Sequence, residues 1–295
     1  MRHLLRRQFL LASAALPVAW AFAAEVASRS AQDRLEQLER DLGGRLGLFA
    51  LDSADGAWLG HRADEPFPLC STFKAILAAA ILQRSTSTAG LLEQRINYAQ
   101  SSLVEYSPIT ERHLAGGMTV AELCAAAIQY SDNTAANLLM GLLGGPTAVT
   151  EFALSIGDSA FRLDRWETEL NTAIPGDPRD TTTPSAMGRS LQRLVLGDAL
   201  GVAQRQQLAD WLLGNTTGAA RIRAGVPSEW QVGDKTGTGV YGTANDVAVL
   251  WPPQRSPIIV AIYTTRHEQD AEARNDVIAA AARVVVDWLD TKAAS

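Results

Sequence analysis

The chain is poor in lysine, histidine and cysteine. Of its 26 basic residues only three are lysine: Lys74, Lys235 and Lys292. The four histidines (His3, His61, His113, His267) stand apart from one another, with no metal-ligand spacing, and nothing in the sequence calls for a metal or any other cofactor. Two cysteines, Cys70 and Cys124, exclude a disulfide-dense scaffold, and their spacing alone does not say whether they meet. Beyond residue 24 there is no low-complexity linker and no hydrophobic run of membrane-spanning length. The net charge of −6 argues against a nucleic-acid or anionic-membrane partner.

Scarcity makes the lysines informative. Lys292 lies in the polar tail, whereas Lys74 ends Ser71-Thr72-Phe73-Lys74 and Lys235 opens Lys235-Thr236-Gly237. A guanidinium does not deprotonate in a protein, but a desolvated ammonium can lose its proton and act as a base. A chain that uses arginine almost everywhere has therefore put lysine at two places that suit chemistry.

Residues 1–24 read as an export signal. Arg2, Arg6 and Arg7 precede an apolar run broken by Pro17, with a small-residue site at Ala21-Phe22-Ala23. Arg6-Arg7-Gln8-Phe9-Leu10 points to the twin-arginine route and so to a periplasmic location; the competing reading is an uncleaved membrane anchor. Without the three signal arginines the mature chain holds 23 basic against 32 acidic residues.

The remaining pattern predicts an α/β (α+β) fold. A helix over residues 31–41 precedes a hairpin, 45–52 and 58–61, turned at Asp55-Gly56. From Ser71 to about Gly218 the pattern is almost wholly helical, with an all-apolar helix from Thr72 and a Thr119-x-x-Glu122 capping signature. Residues 162–183 have no period and read as a long functional loop. Three strands (230–238, 245–251, 257–264) and a final helix follow. The simplest closure is one antiparallel five-stranded sheet flanked by helices, built from 25–68 plus 219–295, with an all-helical domain, 69–218, inserted and the active site between them. No exposed apolar stripe calls for a partner subunit, so a monomer is expected.

Three short motifs carry chemistry. Ser71 and Lys74 share one helical face, where the amine reaches the hydroxyl; the plain alternative is an N-cap serine beside an unrelated lysine. Ser131-Asp132-Asn133 opens a helix and, taken alone, reads as a cap. Lys235-Thr236-Gly237 lies in a strand with a second glycine, Gly239, which points to close approach of a ligand or backbone. Ser-x-x-Lys, Ser-Asp-Asn and Lys-Thr-Gly in this order and context leave little room for coincidence.

The chain resembles the class A serine β-lactamases over essentially its whole mature length. Glu167 and Asn171 match the family's Glu-x-x-Leu-Asn segment, which separates it from transpeptidase relatives. The resemblance implies Ser71 as nucleophile, with an oxyanion hole of the Ser71 and Thr238 amides. It implies Ser131, Lys235 and Lys74 as proton carriers and Glu167 with Asn171 as activators of the deacylating water. Either Lys74 or Glu167 through a water is the acylation base. Tyr106, Asn133, Thr236, Gly237, Thr238 and Arg221 are implied to bind substrate. Arg221 takes the carboxylate-binding role because the usual strand position is Ala244 here. Asn137, Arg165 and Asp180 are implied to brace the loop, with a cis peptide after Glu167. The family positions that would bridge Cys124 and Cys70 hold Ala78 and Gly239, so two free buried thiols are expected. That absence weighs against carbapenem hydrolysis. A periplasmic D,D-peptidase or a β-lactam sensor would share the three motifs but lack the pair Glu167 and Asn171, and a non-catalytic scaffold would leave two rare lysines unexplained.

Overall fold

The structure, a computed structural model, describes residues 15–293, with side chains from 29 to 292. Residues 1–14 of the segment read as an export signal lie outside the described residues, as do the side chains of the rest of it. Helix α1 (Ala15–Leu42) leads into β1 (Gly44–Asp52), β2 (Trp58–His61) and the short β3 (Phe67–Pro68). Then come α2 (Phe73–Ser85), β4 (Arg95–Ile96), β5 (Met118–Thr119), α3 (Val120–Gln129), α4 (Asn133–Leu143) and α5 (Pro146–Ser155). The chain continues through β6 (Thr181–Thr182), α6 (Pro184–Val195) and α7 (Val202–Leu213) to β7 (Gln231–Thr238), β8 (Ala244–Trp251), β9 (Ile258–Arg266) and α8 (Asn275–Ala293).

The main sheet is antiparallel throughout, in the order β2-β1-β9-β8-β7. Strands β8 and β9 are buried almost end to end because both sheet faces are covered. Alternation along each strand decides which core a side chain joins. Leu46, Leu48, Ala50, Ala248, Leu250, Val260 and Ile262 pack with α1 and α8. Phe49, Leu51, Val247, Val249, Ile259 and Tyr263 face the opposite way, into the larger cluster built from α2 to α7. Helix α2 is apolar on every side because it runs through the middle of that cluster.

Helix ends follow local chemistry. Thr119 and Glu122 form a reciprocal capping box on α3, and Asp132 caps α4 by accepting from the Ala135 amide at 2.8 Å. One expectation needs correcting. Residues 86–117 are not helical: they hold β4, two single-turn 3-10 segments and bends, punctuated by Gly90, Pro108 and the Gly116-Gly117 pair. The two-residue pairings β3–β6 and β4–β5 were not readable from pattern, being shorter than any detectable period.

Candidate active site

A cavity of about 670 Å³ opens between the β7 edge of the sheet and the helical cluster, with the 162–183 loop as its lower wall. Ser71 reaches it from a 3-10 turn, Cys70–Thr72, that feeds α2. Cys70 is held at φ +42°, a left-handed conformation that turns the chain sharply just before the serine. Thr72 ties this turn to β9, donating to Leu69 O at 2.7 Å and pairing with the Tyr263 hydroxyl at 3.1 Å.

Lys74, one turn on, is fully buried. Its Nζ lies 3.0 Å from Ser71 Oγ, 2.8 Å from Ser131 O, 2.6 Å from Asn133 Oδ1 and 2.9 Å from Glu167 Oε1. Burial pushes its pKa below the ordinary lysine value, against the opposing pull of Glu167. Ser71 Oγ also lies 3.4 Å from Glu167 Oε1.

The middle residue of Ser131-Asp132-Asn133 is indeed a cap, but its neighbours face the cleft. Asp132 also accepts from the Ile109 and Thr110 amides at 2.9 Å each, which fixes the preceding loop against α4. Ser131 stands at φ +58°, and its Oγ accepts a hydrogen bond from Lys235 Nζ at 3.0 Å. Lys235 is buried on β7 and also donates to Thr236 O at 2.8 Å. Burial and then the like charge of Lys74 push its pKa well below the ordinary value. A β-carbon on Gly237 would come within 3.2 Å of the Ser71 amide nitrogen, so glycine keeps that approach open.

Contacts of Arg165, Asp180 and Asn137 hold the loop. Arg165 pairs with Asp180 at 2.5 Å and donates to Thr172 Oγ1 at 2.9 Å. Asn137 clasps Glu167, donating to its carbonyl and accepting from its amide at 2.9 Å each. The Glu167–Thr168 peptide is cis. Asn171 Nδ2 donates to Glu167 Oε2 at 2.6 Å, while its buried Oδ1 has no hydrogen-bond partner in the protein. Cys70 and Cys124 are free and buried, and burial pushes both thiols up.

Tyr106, at φ +60°, forms the exposed far rim, held where the Asn133 amide donates to its carbonyl at 3.1 Å. Arg221 lines the cleft but is heavily committed. It donates to Gly237 O, Asn245 O and Thr238 Oγ1 at 2.7 Å each and to Asn275 Oδ1 at 2.8 Å. The Thr238 hydroxyl therefore accepts from Arg221 and turns its own proton elsewhere. Thr236 pairs with the Thr217 hydroxyl at 2.5 Å.

Sequence reading missed a supporting layer under β7. Asp234 accepts from Asn215 Nδ2 at 2.6 Å and Arg223 Nε at 2.7 Å, and the fully buried Asp246 of β8 is its electrostatic neighbour. Burial and then the charge of Asp234 hold the Asp246 carboxyl well above the usual carboxylate range, and burial also raises Asp234, against the pull of Arg223. These residues, like Thr217, come together only through strand pairing and the α7–β7 turn, and no local motif marks them.

Comparison with known proteins agrees with this geometry. A family model described as "Beta-lactamase enzyme family" matches residues 30–289. The chain is 56% identical to a carbapenem-hydrolyzing β-lactamase KPC of Klebsiella oxytoca over 287 residues, 97% of this chain and 98% of that one. It is 54% identical to β-lactamase CTX-M-8 of Citrobacter amalonaticus over 288 residues, covering 97% and 99%. The crystal structure of a β-lactamase from Desulfarculus baarsii DSM 2075 superposes with a TM-score of 0.88 at 65% identity, covering 89% of this chain and 98% of that one.

Proposed function

The chain belongs to the class A serine β-lactamases, which hydrolyse β-lactams, and on that premise we propose that it turns over penicillins and cephalosporins through an acyl-enzyme cleared by a Glu167-activated water. Ser71 Oγ attacks the lactam carbonyl. The oxyanion forms against the Ser71 and Thr238 amides, across the gap that Gly237 leaves clear. The lactam C–N bond then breaks and an ester to Ser71 remains. Ser131, fed by Lys235 at 3.0 Å and within 3.5 Å of Lys74, gives its proton to the departing nitrogen. Two bases are in reach of the serine: Lys74 at 3.0 Å, and Glu167, whose Oε1 lies 3.4 Å from Ser71 Oγ, with room for a relay water only if the two move apart.

The observation that carries the deacylation step is the pair Glu167 and Asn171. Asn171 fixes one carboxylate oxygen at 2.6 Å, and its own Oδ1 is buried without a partner among the described residues. A water held between Asn171 Oδ1 and the Glu167 carboxylate would satisfy that orphaned acceptor and be activated for attack on the ester. For the substrate, the Thr236 and Thr238 hydroxyls, Lys235 and the remaining N–H of Arg221 suit a carboxylate. Asn133 keeps one amide proton for the side-chain carbonyl, having given the other to Glu105 O at 2.9 Å. We further propose export to the periplasm as a monomer after removal of residues 1–24.

The test is an intact-mass time course with excess benzylpenicillin. Wild type should clear the lactam with at most a transient adduct on Ser71, while Glu167→Ala should hold a stoichiometric one. A lasting adduct on wild type would instead assign the chain to penicillin-binding proteins or sensors. Parallel kcat/KM values for a penicillin, a cephalosporin and a carbapenem rank the substrates.

A further inference from the structure

Behind the loop, on the side away from the cleft, lies a second cavity of about 300 Å³. Its walls are Pro66, Pro68, Ile174, Pro175 and Pro178, and Arg266 at the end of β9 stands against them. These walls are apolar, with Thr181, Thr265 and His267 among the polar residues that complete the lining, and the cation is unusual for what it lacks. Arg266 makes no side-chain hydrogen bond or ion pair among the described residues, and its Nε is buried without a partner. Two glycines make room for its stem: a β-carbon on Gly44 would sit 3.1 Å from its Cγ and one on Gly242 3.0 Å from its Cδ. The other arginines around the cavity are satisfied. Arg45 bonds Glu65 at 2.8 Å and stacks on Phe67, Arg165 holds Asp180, and Arg179 holds Asp177 at 2.7 Å. The one carboxylate on the wall, Asp177, is thus already neutralised, and the positive charge of Arg266 is left over.

We propose that this cavity binds a small organic anion with an apolar body, an aryl carboxylate in size and class. The carboxylate takes the free guanidinium edge of Arg266, and the ring displaces water from the proline and isoleucine walls. Charge complementarity selects the anion over a neutral molecule of the same shape. Because residues 173–178 form one wall and Asn171 precedes them in the same loop, an occupant spanning loop and strand favours the loop conformation described above.

The experiment is calorimetric titration of the full chain with 2-naphthoate and with its neutral isostere 2-naphthamide. The carboxylate should bind about tenfold tighter, the worth of a charge-assisted hydrogen bond. Arg266→Met, which keeps the stem, should erase that difference and leave hydrolysis of a chromogenic cephalosporin unchanged. Ile174→Glu, at an exposed wall position, should weaken naphthoate by a similar factor without risk to folding. Equal affinities for the two probes, an undiminished preference in both variants, or naphthoate binding fully displaced by a cleft-directed substrate would each overturn the proposal.

Discussion

At the scale of single residues, the cleft is built from strained backbone and desolvated charge. Cys70, Tyr106 and Ser131 all hold positive φ without being glycine, and each presents or precedes a cleft residue. Beneath them the buried carboxyls of Asp234 and Asp246 differ in what they can lose. The Asp246 carboxyl is held well above the usual carboxylate range, so its charged form is the disfavoured one and Asp246→Asn takes away little. Asp234 is the counter-charge of Arg223, and Asp234→Asn strands that guanidinium. We expect Asp234→Asn to cost about 3–5 kcal/mol and Asp246→Asn much less in denaturant unfolding at neutral pH. The pH dependence has a definite sign. A folded-state pKa raised above the ordinary 3.8 gives a contribution that is fully present below 3.8 and lost as pH rises through the folded value. Asp246→Asn should therefore gain on wild type as pH increases, and a parallel pair of stability curves would sink the assignment.

At the scale of elements, the chain just past β7 runs hard against the loop. A β-carbon on Gly239 would lie 2.7 Å from Asn171 O and 2.7 Å from Cys70 Sγ, so Gly239→Ala must push the loop from the strand. Asn171 moves with it, and the expected result is an acyl-enzyme from benzylpenicillin that persists about tenfold longer, with roughly 1–3 kcal/mol of stability lost. Unchanged deacylation would mean the loop tolerates the displacement. A second joint ties α1 to β2. Burial disfavours ionised Glu39, yet bonds from Arg62, the Leu46 amide and His61 outweigh it and hold the carboxyl at about 2 against an ordinary 4.5. Its stabilising contribution is complete above 4.5 and is lost as pH falls towards 2, so Glu39→Gln should flatten the acid limb of the stability curve. Much at this scale was legible in sequence. The hairpin, the late strands and the capped helices announced themselves because period and cap chemistry are local. The irregular run from 86 to 117 did not, since its shape is set by packing against α3 and α4. Nor did the Asp234–Asp246 layer, which exists only once β7 lies beside β8.

For the whole molecule, the question is whether a chain that leaves the main sheet after β2 and returns at β7 behaves as one cooperative body. The two hydrophobic clusters are not confined to separate stretches of sequence. Strands β1, β8 and β9 send alternate residues into each, so Leu48 and Phe49 are neighbours in the chain yet lie in different cores. Losing the sheet removes one wall of both clusters, and neither can hold its packing without it. Each cluster carries a buried tryptophan that reports on it alone: Trp211 among the helices of the larger one, Trp288 on α8 in the other. With 5-fluorotryptophan incorporated, their native fluorine signals should fade at the same denaturant concentration. Ile262→Ala, which opens a cavity only on the α1–α8 side, should shift both signals together by an amount equivalent to about 2–5 kcal/mol. Separate midpoints, or a shift confined to Trp288, would show two bodies sharing a sheet rather than one.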